Sequence, residues 1–156
     1  MLNLKAMPED LLKSEIKTFL KEHDVLVLCT CNNNVPRATP MDFYTDKSND
    51  FIIYVGPSPG RKVKNIEENP VISIGIYTPM KTGKVQGMQI TASGKERLIF
   101  LKEGDEQFSS AQKIVRGKRK LILKIIPEKI ELLDYSFEKR GFTKMQTLNL
   151  PVLKLK

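Results

Sequence analysis

VLVLCTCNNNVPRATPMDFY, residues 25–44, contains the clearest structural signal in the chain. Residues 25–31 are rich in side chains that favour β-strands, and the three asparagines at 32–34 are typical of a turn. The run at 35–44 is again extended in character. The stretch therefore predicts a β-hairpin.

Similar patterns on either side of the hairpin predict the remaining elements. Apolar residues recur at helical spacing over 7–22, and Arg61 begins a short helical stretch that Pro70 ends. A third helix is predicted over 103–115, and a turn over 46–50. The other predicted strands are 50–56, 71–77, 87–100 with an interruption near Gly94, and 120–135 with a bend at Pro127.

These runs lack the regular alternation of strand and helix that indicates a parallel sheet. Six strand-like runs with short turns and small helices instead predict a mainly β fold, an antiparallel β-barrel with α additions. A chain of 156 residues, 40% of them hydrophobic, is predicted to form one domain. We expect its core at about 8–135 and a C-terminal tail at 136–156.

Two cysteines and a single histidine limit the chemistry. Cys29 and Cys31 are one residue apart on a predicted strand, where they cannot bridge each other without strain, and we expect them to be small core residues. His23 is expected to face solvent at a helix end. The sequence therefore predicts no metal site and no Cys-His nucleophilic pair, and it assigns no catalytic residue.

The unbridged cysteines also indicate a reducing compartment. The N-terminus has no apolar segment with a small-residue cleavage site, and no apolar run is long enough to cross a bilayer. We therefore expect a cytoplasmic protein that has no membrane partner.

The formal net charge of +8 favours anionic partners such as phosphates, nucleotides or nucleic acid. Many of the cations lie in the second half of the chain, without interleaved aromatic residues. This pattern favours a solvated basic surface over a nucleic-acid site. If the barrel does bind nucleic acid, the cations expected at the phosphates are Lys113, Arg116, Lys118, Arg119 and Lys120.

A phosphate-binding pattern stands at residues 58–62, Ser-Pro-Gly-Arg-Lys, directly before the predicted second helix. Backbone N–H groups at a helix start and the cations of Arg61 and Lys62 can converge on one phosphate. Arg37 lies between two prolines in an otherwise apolar strand, where a cation needs an anionic partner or solvent. The alternative is that all three cations are simply solvated.

The order of these segments resembles that of the FMN-binding split β-barrel proteins related to pyridoxamine 5'-phosphate oxidase. The resemblance covers about residues 8–100. Its most specific part is a strand end, a basic pair at a helix start and an Asn-Pro, here Tyr54-Val55, Arg61-Lys62 and Asn69-Pro70. The resemblance implies a six-stranded antiparallel split β-barrel with short flanking helices.

The same resemblance implies FMN as the cofactor, held between the two subunits of a homodimer, and a small-molecule redox substrate or electron donor. In the family, the strand end and the basic pair hold the phosphate and ribityl chain, a neighbouring strand lies along the flavin ring, and a glutamine approaches from the next strand. The implied cofactor-binding residues are Arg37, Ala38, Thr39, Pro40, Met41, Tyr54, Val55, Arg61, Lys62 and Gln89.

The chain also departs from the family pattern. True pyridoxamine phosphate oxidases end in a segment with tryptophan and arginine, whereas this chain has no tryptophan and its tail, residues 136–156, does not resemble that segment. Oxidation of vitamin B6 is therefore not predicted. Three functions therefore stay open: an FMN-dependent oxidoreductase, a flavin carrier or F420-binding protein of the same fold, and a nucleic-acid-binding barrel.

Overall fold

The computed structural model describes residues 3–47, 51–79, 81 and 83–150. Within them the chain forms ten β-strands, three α-helices and one 3₁₀ helix. The α-helices are α1 (Glu9–Lys21), α2 (Arg61–Glu68) and α3 (Phe108–Ile114), and the 3₁₀ helix is Tyr135–Arg140. The strands are β1 (Val25–Asn32), β2 (Val35–Asp42), β3 (Tyr44–Thr45), β4 (Ile53–Val55), β5 (Val71–Tyr77), β6 (Gln86–Ser93), β7 (Leu98–Lys102), β8 (Leu121–Ile125), β9 (Lys129–Asp134) and β10 (Met145–Asn149).

The strands form two antiparallel sheets. The main sheet has six strands in the order β10-β9-β6-β5-β1-β2, and the smaller sheet has four in the order β3-β4-β8-β7. The predicted mainly β fold with a six-stranded antiparallel sheet is confirmed. The predicted hairpin is β1 and β2, which pair from Val25 opposite Asp42 to Asn32 opposite Val35.

Two runs that the sequence predicts as single strands are each divided between the sheets. The run 87–100 becomes β6 and β7, and the run 120–135 becomes β8 and β9. Gly94, at a φ of +98°, allows the first crossing. Arg97 joins the two crossings, because its Nη1 donates to the carbonyl of Pro127 at 2.7 Å. The alternation of apolar and polar residues within each run does not reveal this change of sheet, because both halves of the run favour strands.

Alternate side chains of the main sheet point into the core, where α1 and the smaller sheet cover them. We call this the inner face, and the opposite surface of the same sheet the outer face. Leu28, Ile74, Ile90 and Ile130 are fully buried on the inner face. Cys29 and Cys31 are half-buried on the outer face. Their prediction as core residues is therefore wrong, because the core side of β1 belongs to Leu26, Leu28 and Thr30.

His23 does not simply face solvent, contrary to the sequence-based expectation. Its ring stacks on that of Phe19 with centroids 3.9 Å apart, and its Nδ1 donates to the Phe19 carbonyl at 2.6 Å. Its Nε2 lies 2.9 Å from the Thr78 hydroxyl. The histidine therefore joins the end of α1 to the end of β5.

Asparagine side chains fasten α2 to β1. Asn65 donates from Nδ2 to the Thr30 hydroxyl at 3.1 Å, and both residues are buried. Asn69, which follows the helix, donates to the carbonyl of Cys31 at 2.8 Å. Asn32 also hydrogen-bonds Glu68. These bonds fix the helix, and hence its first residues, relative to the main sheet.

The region predicted as a C-terminal tail is partly built into the fold. β10 pairs with β9 at the edge of the main sheet, and Leu148 is buried. Gln146 accepts a hydrogen bond from the backbone N–H of Met7 at 2.8 Å, which ties this strand to the N-terminal segment. The core therefore extends beyond the predicted limit at residue 135. Residues 151–156 of the predicted tail and residues 48–50 of the predicted turn lie outside the described residues.

None of the described helices is long and apolar enough to span a membrane.

We predict that Asn65→Ala destabilises the protein by about 1–3 kcal/mol, because it leaves the buried Thr30 hydroxyl without its donor. Urea denaturation measures this loss. Glu67→Ala, on the exposed side of the same helix, is the matched control and should change stability by less than about 0.5 kcal/mol. Equal midpoints for the two variants would show that the Asn65–Thr30 bond does not hold α2 in place.

Candidate functional site

A cavity of about 400 Å³ opens where β2 ends, β4 ends and α2 begins. We call it the basic cavity, because two cationic side chains line it. Its lining residues are Val25, Thr39, Pro40, Met41, Asp42, Tyr44, Gly56, Ser58, Lys62 and Arg119.

The α2 side of the basic cavity is a helix start. Gly60 precedes the helix, no side chain caps its first turn, and that turn contains no acidic residue. The free N–H groups and the helix dipole make this end electropositive. Lys62, the second residue of the helix, is half-buried and lines the cavity, as does the exposed Ser58 in the preceding loop.

The opposite wall is β2, an edge strand of the main sheet. Because β1 pairs with only one side of β2, a row of its backbone N–H and C=O groups faces away from the sheet. Pro36 and Pro40 lack an N–H, which is compatible with an edge position. Thr39, Pro40 and Met41 bring this edge to the cavity.

The cations of the basic cavity have no acidic partner in the described part of the chain. Neither Lys62 nor Arg119 forms an ion pair there, and Asp42 is the acidic residue of the lining. Two unpaired cations beside a helix start favour an anion, and a phosphate satisfies all three groups at once.

The structure brings four of the ten predicted residues to the basic cavity: Thr39, Pro40, Met41 and Lys62. Arg37 and Arg61 are both exposed and are not among its lining residues. Arg37 lies opposite Thr30, two positions along β2 from Thr39 and nearer the hairpin turn. Arg37 and Arg61 were expected to meet around one phosphate. The structure brings neither of them to the basic cavity.

The other four predicted residues lie elsewhere because strand geometry sends neighbouring side chains in opposite directions. Ala38 and Gln89 are on the outer face, opposite Cys29 and Gly75 respectively. The side chains of Tyr54 and Val55 are buried in the core, although the chain reaches the cavity at the next residue, Gly56.

Arg119 is a cationic lining residue that the sequence does not place in the site. It follows α3 and is far from Lys62 in sequence, so no local spacing connects the two. The signal in the sequence is the basic run at 116–120, whose cations are the ones expected at the phosphates of a nucleic acid. Gly56, Tyr44 and Asp42 were also not predicted as lining residues.

A second cavity of about 420 Å³ adjoins the basic cavity and shares Asp42 and Tyr44 with it. Asp24, Phe43 and Arg116 complete its lining. The two cavities together can hold a ligand longer than a phosphate group, with the phosphate at the Lys62 end. The described residues contain no group of three or more His, Cys, Asp or Glu side chains that could hold a metal ion.

Burial raises the pKa of Tyr54 above its usual value of 10.0, and the nearby carboxylate of Asp46 raises it further. The phenol packs beside Ile122 and Ala111 in a small core between the smaller sheet and α3. A neutral phenol suits this apolar position. The site therefore holds Tyr54 as a protonated structural residue at neutral pH.

Two antiparallel sheets with a ligand-sized cationic cavity at their junction define this chain as a split β-barrel protein. A family model described as pyridoxamine 5'-phosphate oxidase matches residues 12–134. The chain belongs to this family, as the resemblance of its motifs indicated. A comparison with curated protein sequences gives no significant match.

Several solved structures are similar to this chain. General Stress Protein 26 from Bacillus anthracis has a TM-score of 0.61 and 18% identity, over 89% of this chain and 98% of that one. A heme binding protein from Mycobacterium smegmatis has a TM-score of 0.64 and 12% identity, over 92% and 59% of the chains. An FAD binding protein from Mycobacterium smegmatis has a TM-score of 0.57 and 11% identity, over 78% and 94%. These likenesses establish the fold.

We predict that Tyr54→Phe protects the protein against alkali. Because the folded-state pKa of Tyr54 is raised, the unfolded chain loses this proton first, and the free energy of unfolding falls as pH rises above about 10. Urea denaturation at about pH 8 and about pH 11 measures the fall. It should be smaller for Tyr54→Phe than for the parent. An identical fall in the two proteins would contradict the prediction.

Proposed function

We propose that this protein binds FMN in the basic cavity and works as a flavin-dependent oxidoreductase. The observation that carries the proposal is the pair of unpaired cations beside the start of α2, facing the edge of β2 across a ligand-sized cavity. The family to which the chain belongs includes flavin-binding proteins, and one similar structure is described as an FAD binding protein.

The residues of the cavity fit a phosphorylated flavin. A volume of about 400 Å³ falls within the range of small-molecule sites, and the adjoining cavity extends it. Lys62, the Ser58 hydroxyl and the free N–H groups of α2 would hold the phosphate. The edge of β2 at Thr39–Met41 would lie along the ring system, where the carbonyl of Pro40 faces away from β1 and could accept a hydrogen bond.

When bound, FMN supplies the redox chemistry. The protein's own residues would bind the FMN and orient it in the basic cavity. Lys62 would neutralise part of the phosphate charge, and the side chain of Met41 would form part of the cavity wall. Because residues 136–156 do not resemble the segment with tryptophan and arginine of true pyridoxamine phosphate oxidases, we propose a substrate other than vitamin B6.

The outer face supports the proposal that the protein is a homodimer. Four large apolar side chains remain exposed on it, Val25, Val71, Tyr77 and Met145, and Tyr77 is 63% exposed. Gly75 and Gly87 flatten its centre, where a groove of about 260 Å³ runs past Gln89. Proteins of this family are commonly dimers, and an apolar surface of this kind is typical of an interface. Gln89 would then reach the flavin through the interface.

The free cysteines on the same face agree with a reducing, cytoplasmic location, which is part of the proposal.

We predict that the purified protein is yellow and releases FMN on denaturation, and that Lys62→Ala raises the Kd for FMN by about tenfold by removing a charge-assisted contact. Quenching of flavin fluorescence measures the Kd. Lys64→Ala is the matched control, because Lys64 lies on the same helix but is 72% exposed and faces Glu68. Parent protein that neither contains nor binds FMN would overturn the proposed function, and equal losses in both variants would overturn the site.

We predict that Tyr77→Lys converts the dimer to a monomer and lowers FMN retention, since it places a charge in the centre of the proposed interface. Light scattering after size-exclusion chromatography measures the mass, and flavin absorbance measures retention. Val35→Lys is the control, because Val35 is 53% exposed but lies at the hairpin end of β2, away from the outer face. A dimer that survives Tyr77→Lys would argue against this interface.

A further inference from the structure

The side chain of Gln112 shapes the segment between α3 and β8. Its Oε1 accepts a hydrogen bond from the backbone N–H of Arg119 at 3.0 Å. Its Nε2 donates to the carbonyl of Gly117 at 2.6 Å and to that of Val115 at 3.3 Å. One side chain on α3 therefore holds the backbone of the segment 115–119 in a fixed curve. This also fixes the point from which the Arg119 side chain extends.

The side chain of Arg119 then crosses the end of β4 at Gly56. A Cβ on residue 56 would lie 2.9 Å from both Cδ and Nε of Arg119, which is closer than side-chain contacts allow. The absence of a side chain at Gly56 therefore lets the arginine lie against the strand end. From there it lines the basic cavity together with Lys62 and Ser58.

Arg119 is set apart from the other cations of its segment by its place in the basic cavity. It forms no ion pair with any acidic group in the described ranges, and it lines the same cavity as Lys62. Two cations that share a cavity repel each other, and a dianionic group between them relieves that repulsion. Arg119 is exposed, as Lys118 and Lys120 are, but those two lysines do not line the basic cavity. Arg116 lines the adjoining cavity.

We propose that Arg119 is the second phosphate-binding cation of the site, and that it makes the site selective for ligands ending in a phosphate monoester over the same ligands without phosphate. The inference rests on the proposed FMN function and deepens it. A phosphate monoester is largely dianionic at neutral pH, which matches the charge of Arg119 and Lys62. The guanidinium adds a planar pair of donors that a lysine lacks.

The test compares FMN with riboflavin, which is the same flavin without the phosphate. Fluorescence quenching gives the Kd of each ligand for the parent, Arg119→Ala and Lys118→Ala. We expect Arg119→Ala to raise the Kd for FMN by about 10- to 100-fold and to leave the Kd for riboflavin unchanged. Lys118→Ala, an exposed cation from the same segment, should change neither. Circular dichroism confirms that each variant is folded.

A second variant tests the path of the side chain. Gly56→Ala places a Cβ where Arg119 crosses, so it should weaken FMN binding, and the double variant Gly56→Ala/Arg119→Ala should be no weaker than Arg119→Ala alone. Additive losses would show that Arg119 does not act across Gly56, and would overturn the geometry proposed here.

The outcomes separate the two proposals. Parent protein that binds no FMN contradicts the proposed function itself. If the parent and Arg119→Ala bind FMN equally well, the proposed function stands. The role of Arg119 is then overturned. An equal loss of FMN and riboflavin affinity in Arg119→Ala also overturns it, because such a loss would not depend on the phosphate.

Discussion

The alternation of buried and uncovered side chains along the main sheet is the constraint on which the structure depends. Leu28, Ile74, Ile90 and Ile130 turn to one face and are fully buried there. Burial of that face requires a covering layer, which α1 and the smaller sheet provide. The same alternation sends the intervening residues to the outer face, which the described chain leaves uncovered. One sheet therefore supplies both the core and the proposed interface.

The basic cavity follows from the way the chain passes between the two sheets. After β2 and after β4 the chain leaves one layer, and strands that diverge at such a junction do not fill the space between them. Asn65 and Thr30 hold the start of α2 at this gap by a buried hydrogen bond. Lys62 is thereby positioned through a helix that is bonded to the main sheet, at a cavity where it has no acidic partner among the described residues.

Membership of the pyridoxamine 5'-phosphate oxidase family and the chemistry of the site are separate matters. Similar folds include proteins described as binding FAD and heme, which shows that the barrel does not by itself specify the ligand. The ligand must be argued from the side chains at the junction. Three segments carry these side chains: the edge of β2, the start of α2 and the residues before β8. The last of these lies outside the part of the chain where the motif resemblance is strong.

The local elements of this protein follow from patterns among neighbouring residues of its sequence. The hairpin at 25–42, the three α-helices and the phosphate-binding pattern before α2 were all readable, because strand alternation, turn residues and helix ends are properties of neighbouring residues. Only the tertiary structure decided which side chains share the cavity. Arg37 and Arg61 have the right chemistry yet are not among the cavity-lining residues, whereas Arg119 and Lys62, far apart along the chain, come together as lining residues of one cavity. Strand pairing and the missing Cβ of Gly56 produce that meeting, and neither can be read from the spacing of residues along the chain.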